Sequence, residues 1–197
     1  MRYELPLVGD FQVYNSLCAI CIVLFSGFRM NKILPAVKNI SQIPGRLESI
    51  KIPTKLKKKI SIFIDYAHTP DALENSLKIL KKKSIKLSLV FGCGGDRDKT
   101  KRKIMGKIAN KLADKVYVTD DNPRTESAKK IRQEIISMCP KAIEIQNRYL
   151  AIKKAVNNCE DKECLLIAGK GHEDYQIVGK KSYKFSDKAT VLKFLSK

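Results

Sequence analysis

The sequence has no tryptophan, two histidines, and 20 acidic residues against 39 basic ones. His68 and His172 lie far apart in the chain, so no Ser-His-Asp or Cys-His constellation is evident and no metal site is expected. No G-x-x-x-x-G-K-[ST] phosphate loop occurs anywhere. The apolar stretch 17–28 is too short to cross a bilayer, which takes about 20 residues. The six cysteines show no spacing of the kind that frames a disulfide scaffold, and no signal peptide precedes them, so a cytoplasmic, reducing setting is expected. Cys18 and Cys21 form a lone C-x-x-C without a second ligand pair, which reads as buried helix residues rather than a metal or redox site.

What is present is enough for a core: 197 residues, 44% of them hydrophobic. The net charge of +19 is mostly scattered lysine, densest at 55–59 and 81–86, where it reads as solvated loops. Such a field attracts polyanions, among them nucleotides and UDP-sugars. A nucleic acid is not the expected partner, because no helix-turn-helix, zinc or RNP-type signature accompanies the charge. Arginine is scarce, so a lysine-rich chain that places Arg97 and Arg124 inside glycine- and aspartate-bearing segments implies a need for the guanidinium fork, which binds carboxylate or phosphate bidentately.

Residues 15–39 read as two helices, the second over 31–39, preceded by a short extended piece at 3–8 and a Gly-Asp turn. The first helix is apolar on every side and must be covered, so the chain is expected to start inside a larger unit. From residue 59 onward short β-rich runs at 60–64, 87–91, 116–119, 142–145 and 165–168 alternate with helical patterns at 71–82, 99–112, 127–138 and 150–158. A hairpin at 175–178 and 183–185 and a last helix after Ser186 complete the chain. This alternation predicts an α/β fold, a Rossmann-like doubly wound, mostly parallel sheet, preceded by a helical piece. Ligands of such folds bind beyond the carboxyl ends of the strands.

Four segments follow strands and fall on that one rim: Asp65-Tyr66-Ala67-His68-Thr69-Pro70, Gly92-Cys93-Gly94-Gly95-Asp96-Arg97-Asp98, Asp120-Asp121-Asn122-Pro123-Arg124, and Gly169-Lys170-Gly171-His172-Glu173. Any one of them could be only a turn. The glycines at 92, 94 and 95 match neither G-x-G-x-x-G nor the Walker pattern, so they give no reason to expect NAD. They can instead let the backbone approach a ligand while Arg97 projects as a clamp. Asp121, Asn122, Arg124 and Glu173 add acceptors, an amide and a second fork, a set suited to a zwitterion with more than one carboxylate and ammonium.

The order D-Y-A-H-T-P, G-C-G-G-D-R-D-K-x-K-R, D-D-N-P-R-x-E and G-K-G-H-E-D-Y-Q resembles the C-terminal domain of Mur ligases, across nearly the whole chain. Upstream, Gly9-Asp10-Phe11-Gln12-Val13-Tyr14-Asn15 resembles the end of that family's central ATPase domain, and Pro44-Gly45-Arg46-Leu47-Glu48 the junction. The resemblance implies a central-domain remnant at 1–45 and an amino-acid-binding domain at 46–197. It implies a ligase of peptidoglycan synthesis in which ATP and Mg2+ activate the D-glutamate γ-carboxylate of UDP-N-acetylmuramoyl-L-alanyl-D-glutamate as an acyl phosphate, attacked by an amine of meso-diaminopimelate. By the same resemblance Asn15, Arg46 and Asp65 touch the nucleotide, while Arg97, Asp121, Asn122, Arg124, Gly169 and Glu173 hold the amino acid. The D-N-P-R sequence is the family's mark of diaminopimelate rather than lysine.

The family's phosphate loop, its magnesium-site lysine and its UDP-sugar domain have no counterpart in the sequence, and Gln12 stands where asparagine is common. No catalytic residue is therefore assigned, and activity is expected only with a separately supplied N-terminal part, the alternatives being a non-catalytic binding module or the remnant of a degraded gene.

Overall fold

In a computed structural model, residues 4–54 and 58–196 are described. Part of the lysine run at 55–59, and the first residue of the extended piece expected at 3–8, lie outside them. The chain divides into two compact units, one up to Ile43 and one from Pro44 onward.

The first unit is a helix pair, α1 (Asp10–Phe25) and α2 (Met30–Lys38). α1 starts at Asp10, inside the expected Gly-Asp turn, since Asp10 supplies first-turn negative charge and Gly9 at φ 111 serves as its N-cap. Its buried positions Gln12, Ser16 and Ile20 follow an i, i+4, i+8 line. Cys18 and Cys21 fall off that line and are exposed, which corrects the expectation that they are buried. Tyr14, Ile22 and Phe25 are exposed as well. Ile20, Ile33 and Val37 form the small core beside an apolar groove of about 440 Å³.

The second unit carries a six-stranded sheet of order β1-β2-β6-β3-β4-β5: β1 (Glu48–Ile50), β2 (Ser61–Asp65), β3 (Lys86–Phe91), β4 (Lys115–Val118), β5 (Ile143–Glu144) and β6 (Glu163–Ala168). All neighbours pair in parallel except β1, which runs antiparallel at the edge. The intervening helices are α3 (Pro70–Lys81), α4 (Thr100–Leu112), α5 (Ala128–Ile136) and α6 (Arg148–Asn157), followed by the hairpin β7 (Tyr175–Val178) and β8 (Lys181–Lys184) and by α7 (Asp187–Leu195). The doubly wound α/β reading is correct. β1 was not expected: three residues with only Ile50 strongly apolar give no periodicity, and the strand exists because Glu48, Ser49 and Ile50 register against Ile64, Phe63 and Ile62.

Alternation along the strands sorts the core. Ile62, Ile64, Val90, Tyr117, Leu165 and Ile167 pack with α6 and α7 through Ile152, Val156, Val191 and Leu195. The opposite face carries Leu89, Phe91 and Leu166, with α3, α4 and α5 side by side over it and Leu73, Leu77, Met105, Ala109 and Ile135 buried. The chain runs outward through β3, β4 and β5, then returns to insert β6 between β2 and β3. The segments after β2, β6, β3 and β4 therefore stand next to one another along one edge.

Candidate functional site

A cavity of about 520 Å³ opens on that edge, lined among others by Tyr66, Arg97, Asp121, Asn122, Arg124, Gly169 and Glu173. All six residues expected to hold an amino acid are thus brought together. Arg46, Asp65 and Asn15 do not line it.

Two loops form its floor by packing backbone on backbone. A Cβ at Gly92 would lie 2.2 Å from the Thr119 carbonyl oxygen, and one at Gly95 would lie 2.0 Å from that of Pro123. These glycines serve the approach of the neighbouring loop rather than that of a ligand. Gly95 N–H donates to the Asn122 carbonyl at 2.9 Å. The seam is tied by Arg102, 1% exposed, whose guanidinium grips Glu126 through both nitrogens at 2.9 and 3.1 Å and also donates to Glu134 at 3.0 Å. Glu126 in turn accepts from Asp96 N–H at 2.6 Å, and the Arg102 bonds lower its pKa to about 2.

Arg124 sits at φ 51, a left-handed conformation costly for a residue with a Cβ and held from outside. Its N–H donates to the Ile177 carbonyl at 3.2 Å and its carbonyl accepts from Gly179 N–H at 2.7 Å, so β7 and the glycine that follows it clamp it on both sides. Its guanidinium donates to the carbonyls of Gly95 at 2.7 Å and Asn122 at 3.5 Å. Arg97 is exposed and donates to the Asp96 carbonyl at 3.1 Å. Neither arginine has a carboxylate partner among the described residues.

The acidic side is built around Lys170, fully buried. Its ammonium donates to Asn122 Oδ1 and to the Tyr175 carbonyl, both at 2.8 Å, and stands 3.1 Å from Asp121 Oδ1 and 3.5 Å from Glu173 Oε2. The contact to Asp121 is close enough for an ion pair but out of line for a hydrogen bond, and buried Oδ1 makes no other. Glu173 raises the pKa of neighbouring Tyr175 through its charge. The Gly169 backbone, φ 114, passes beside Asp121 Oδ2. Its position is fixed from both directions: Gly169 N–H donates to the Asp65 carbonyl at 3.0 Å, and the Ala168 carbonyl accepts from Arg148 at 2.9 Å. Arg148 is itself held bidentately by buried Asp187, at 2.8 Å on each oxygen.

Of the nucleotide candidates, Arg46 and Asp65 come together. The Arg46 guanidinium lies over the Tyr66 ring at 4.9 Å, and Tyr66 also stacks toward His68 and His172. Asp65 Oδ1 accepts from the N–H groups of Leu47 at 3.2 Å and Tyr66 at 2.9 Å, and Oδ2 accepts from Ser76 at 2.5 Å. Burial raises the Asp65 pKa against those bonds. Asn15 belongs to the first unit, where its Nδ2 donates to Gln12 Oε1 at 3.4 Å.

Lys170, Arg102, Glu126, Arg148 and Gln176 were not among the expected site residues. Gln176 Nε2 donates to the Asp121 carbonyl at 2.6 Å. Their signal was position inside the quoted motifs for all but Arg148. For Arg148 the partner, Asp187, is 39 residues away, and no local pattern marks the pair.

The sequence matches the family described as "Mur ligase, glutamate ligase domain" over residues 45–171. It is 49% identical over 190 residues to a UDP-N-acetylmuramoyl-L-alanyl-D-glutamate–2,6-diaminopimelate ligase of Rickettsia bellii, covering 94% of this chain and 39% of that protein. A solved structure of a ligase of the same description superposes with a TM-score of 0.74 at 36% identity, over 98% of this chain and 40% of the other. The UDP-N-acetylmuramate-alanine ligase of Thermotoga maritima, 19% identical with a TM-score of 0.68, shares the fold, over 100% of this chain and 39% of that one. The chain thus spans about two fifths of the length of these proteins.

Proposed function

The chain belongs to the Mur ligase family, and we propose that its second unit is the amino-acid-binding domain of a ligase that adds meso-diaminopimelate to UDP-N-acetylmuramoyl-L-alanyl-D-glutamate in peptidoglycan synthesis. The observation that carries this reading is the polarity of the cavity. Arg97 and Arg124, two forks without carboxylate partners among the described residues, line one cavity together with Asp121 and Glu173. A ligand with a carboxylate and an ammonium at each end satisfies both sides, whereas lysine lacks the second carboxylate. A site built to pair a charged group rejects the analogue lacking it by about 10⁴-fold or more, because its own groups stay unpaired.

Within the whole reaction the γ-phosphoryl group of ATP would pass to the D-glutamate carboxylate with release of ADP, and this domain would deliver the amine that attacks the acyl carbon and expels phosphate. Holding the amino acid at both ends turns an encounter into an oriented attack. In the second unit, Arg46, with its guanidinium over Tyr66, and Asp65 next to Tyr66 are the residues we assign to the nucleotide. The first unit, which carries Asn15, we read as the end of the central ATPase domain. The exposed Tyr14, Ile22 and Phe25 of α1 support that reading, as surface a larger domain would cover. Without a phosphate loop these 197 residues catalyse no ligation by themselves.

Isothermal titration of meso-diaminopimelate into the chain, with L-lysine as control, tests this. Saturable heat with the former alone is the expected result. Equal binding of both would remove the diaminopimelate assignment, and UDP-precursor-dependent ATP hydrolysis by the chain alone would overturn the division of labour.

A further inference from the structure

Beside the expected binding residues stands a buried charge that is not among them. Lys170 has no exposed surface and does not line the cavity, yet its ammonium reaches the first atoms of three groups that do or that frame it. Asn122 Oδ1 accepts from Lys170 Nζ at 2.8 Å and from Ile177 N–H at 3.0 Å. Two donors converge on one end of the amide, so a flipped Asn122 would point its NH2 at an ammonium and an N–H. The orientation observed is the only one that satisfies all three groups. It turns Nδ2 toward Glu173 Oε2, 3.1 Å away, and leaves the second Nδ2 hydrogen for an acceptor.

We propose that Lys170 is a positioning residue of the amino-acid site, which locks Asn122 with its amide as a donor toward the cavity and holds Asp121 and Glu173 apart as its acidic side. This rests on the reading of the cavity as an amino-acid site. Asn122 is then a donor to a carboxylate of the ligand, beside the arginines, and not an acceptor for its ammonium. The chemistry suits an ammonium. It donates to Asn122 Oδ1 and to the Tyr175 carbonyl, and its charge stands 3.1 Å from Asp121 Oδ1 as an ion pair, so a neutral side chain would leave that buried oxygen without a counter-charge. The bond to the Tyr175 carbonyl also ties the start of β7 to the site, and β7 is the strand whose Ile177 carbonyl holds the Arg124 backbone. One ammonium thereby couples the amide, the acidic pair and the arginine.

Two measurements on the chain test this separately. In the first, meso-diaminopimelate is titrated into wild type, Lys170→Met and Lys170→Gln, with melting followed alongside. Methionine keeps the volume without a donor, and glutamine restores a neutral donor. The expected result is an affinity about 10- to 100-fold lower in Lys170→Met, with part of the loss recovered in Lys170→Gln. Folded variants that bind like wild type, or that lose binding equally, would overturn the proposal, the latter because packing alone would explain it. The second measurement needs no ligand and decides the matter if Lys170→Met does not fold. In wild type the Lys170 ammonium should give a slowly exchanging nitrogen resonance with a scalar coupling across the hydrogen bond to the Asn122 side-chain carbonyl carbon. An ammonium that exchanges freely, with no coupling, sinks the positioning role. A locked ammonium in a chain that binds no meso-diaminopimelate would leave Lys170 fixing Asn122 and place the error in the ligand assignment instead.

Discussion

At the scale of residues, the site is a set of groups held in costly states by neighbours that touch no ligand. Arg124 carries a left-handed backbone because Ile177 and Gly179 bond it on both sides, and its fork donates to the carbonyls of Gly95 and Asn122. Arg124→Ala should therefore remove the preference for meso-diaminopimelate over L-lysine, by about 10²-fold or more in the ratio of affinities, and competitive titration of the two amino acids measures it. Gly95 shows the opposite dependence, on having nothing: a methyl group there would stand 2.0 Å from the Pro123 oxygen. Gly95→Ala is expected to force the two loops apart at a cost of about 1–3 kcal/mol, read from denaturant unfolding, and to weaken amino-acid binding with it. The residues that line the cavity were recognisable by type and by place in a motif. The reason each glycine is glycine was not, since the atoms it makes room for come from a loop about 28 residues further on, beyond any local pattern.

At the scale of elements, two ion pairs fasten loops to the sheet. Arg102 at the start of α4 grips Glu126 after β4, and the pair sets the spacing of the loops that carry Arg97 and Arg124. Glu126 has a folded pKa of about 2 against an ordinary 4.5, so its stabilising contribution is complete above roughly pH 4.5 and disappears as the pH falls toward 2. Glu126→Gln should flatten stability against pH in that window and leave the curve above pH 5 parallel to wild type, as unfolding at a series of pH values would show. Arg148 and Asp187 join α6 to α7 beneath the end of β6, with no exposed surface on either side chain. Breaking this pair from one side strands a buried cation, so Asp187→Ala is expected to cost about 3–5 kcal/mol, measured by the shift in denaturation midpoint. The periodicities of 2 and 3.6 made the helices and most of the parallel strands readable. They could not reveal β1, whose three residues become a strand only by pairing with β2.

At the scale of the whole molecule, the +19 charge acts as a field rather than a site. Retention on a polynucleotide should be independent of its sequence, fall steeply as salt rises from about 50 to 200 mM, and be unaffected by meso-diaminopimelate, a comparison that salt-gradient chromatography makes directly. Retention that persists at high salt, or competition by the amino acid, would place nucleic acid in the cavity instead. The sequence by itself determined the fold class and which loops share an edge, because both follow from short-range hydrophobic periodicity and from the rule that parallel strands end on one side. It also supplied the charges that line the cavity, since a fork or a carboxylate is a property of residue type. Only the tertiary structure decided that the glycines serve loop packing, that Cys18 and Cys21 lie off the buried line of α1, that Asp65 spends both oxygens on its own surroundings, and that Lys170 stands at the centre of the acidic side. Each of these is a relation between atoms distant in the chain or a matter of which neighbour covers a surface, and such relations come into being only when the strands take their places in the sheet.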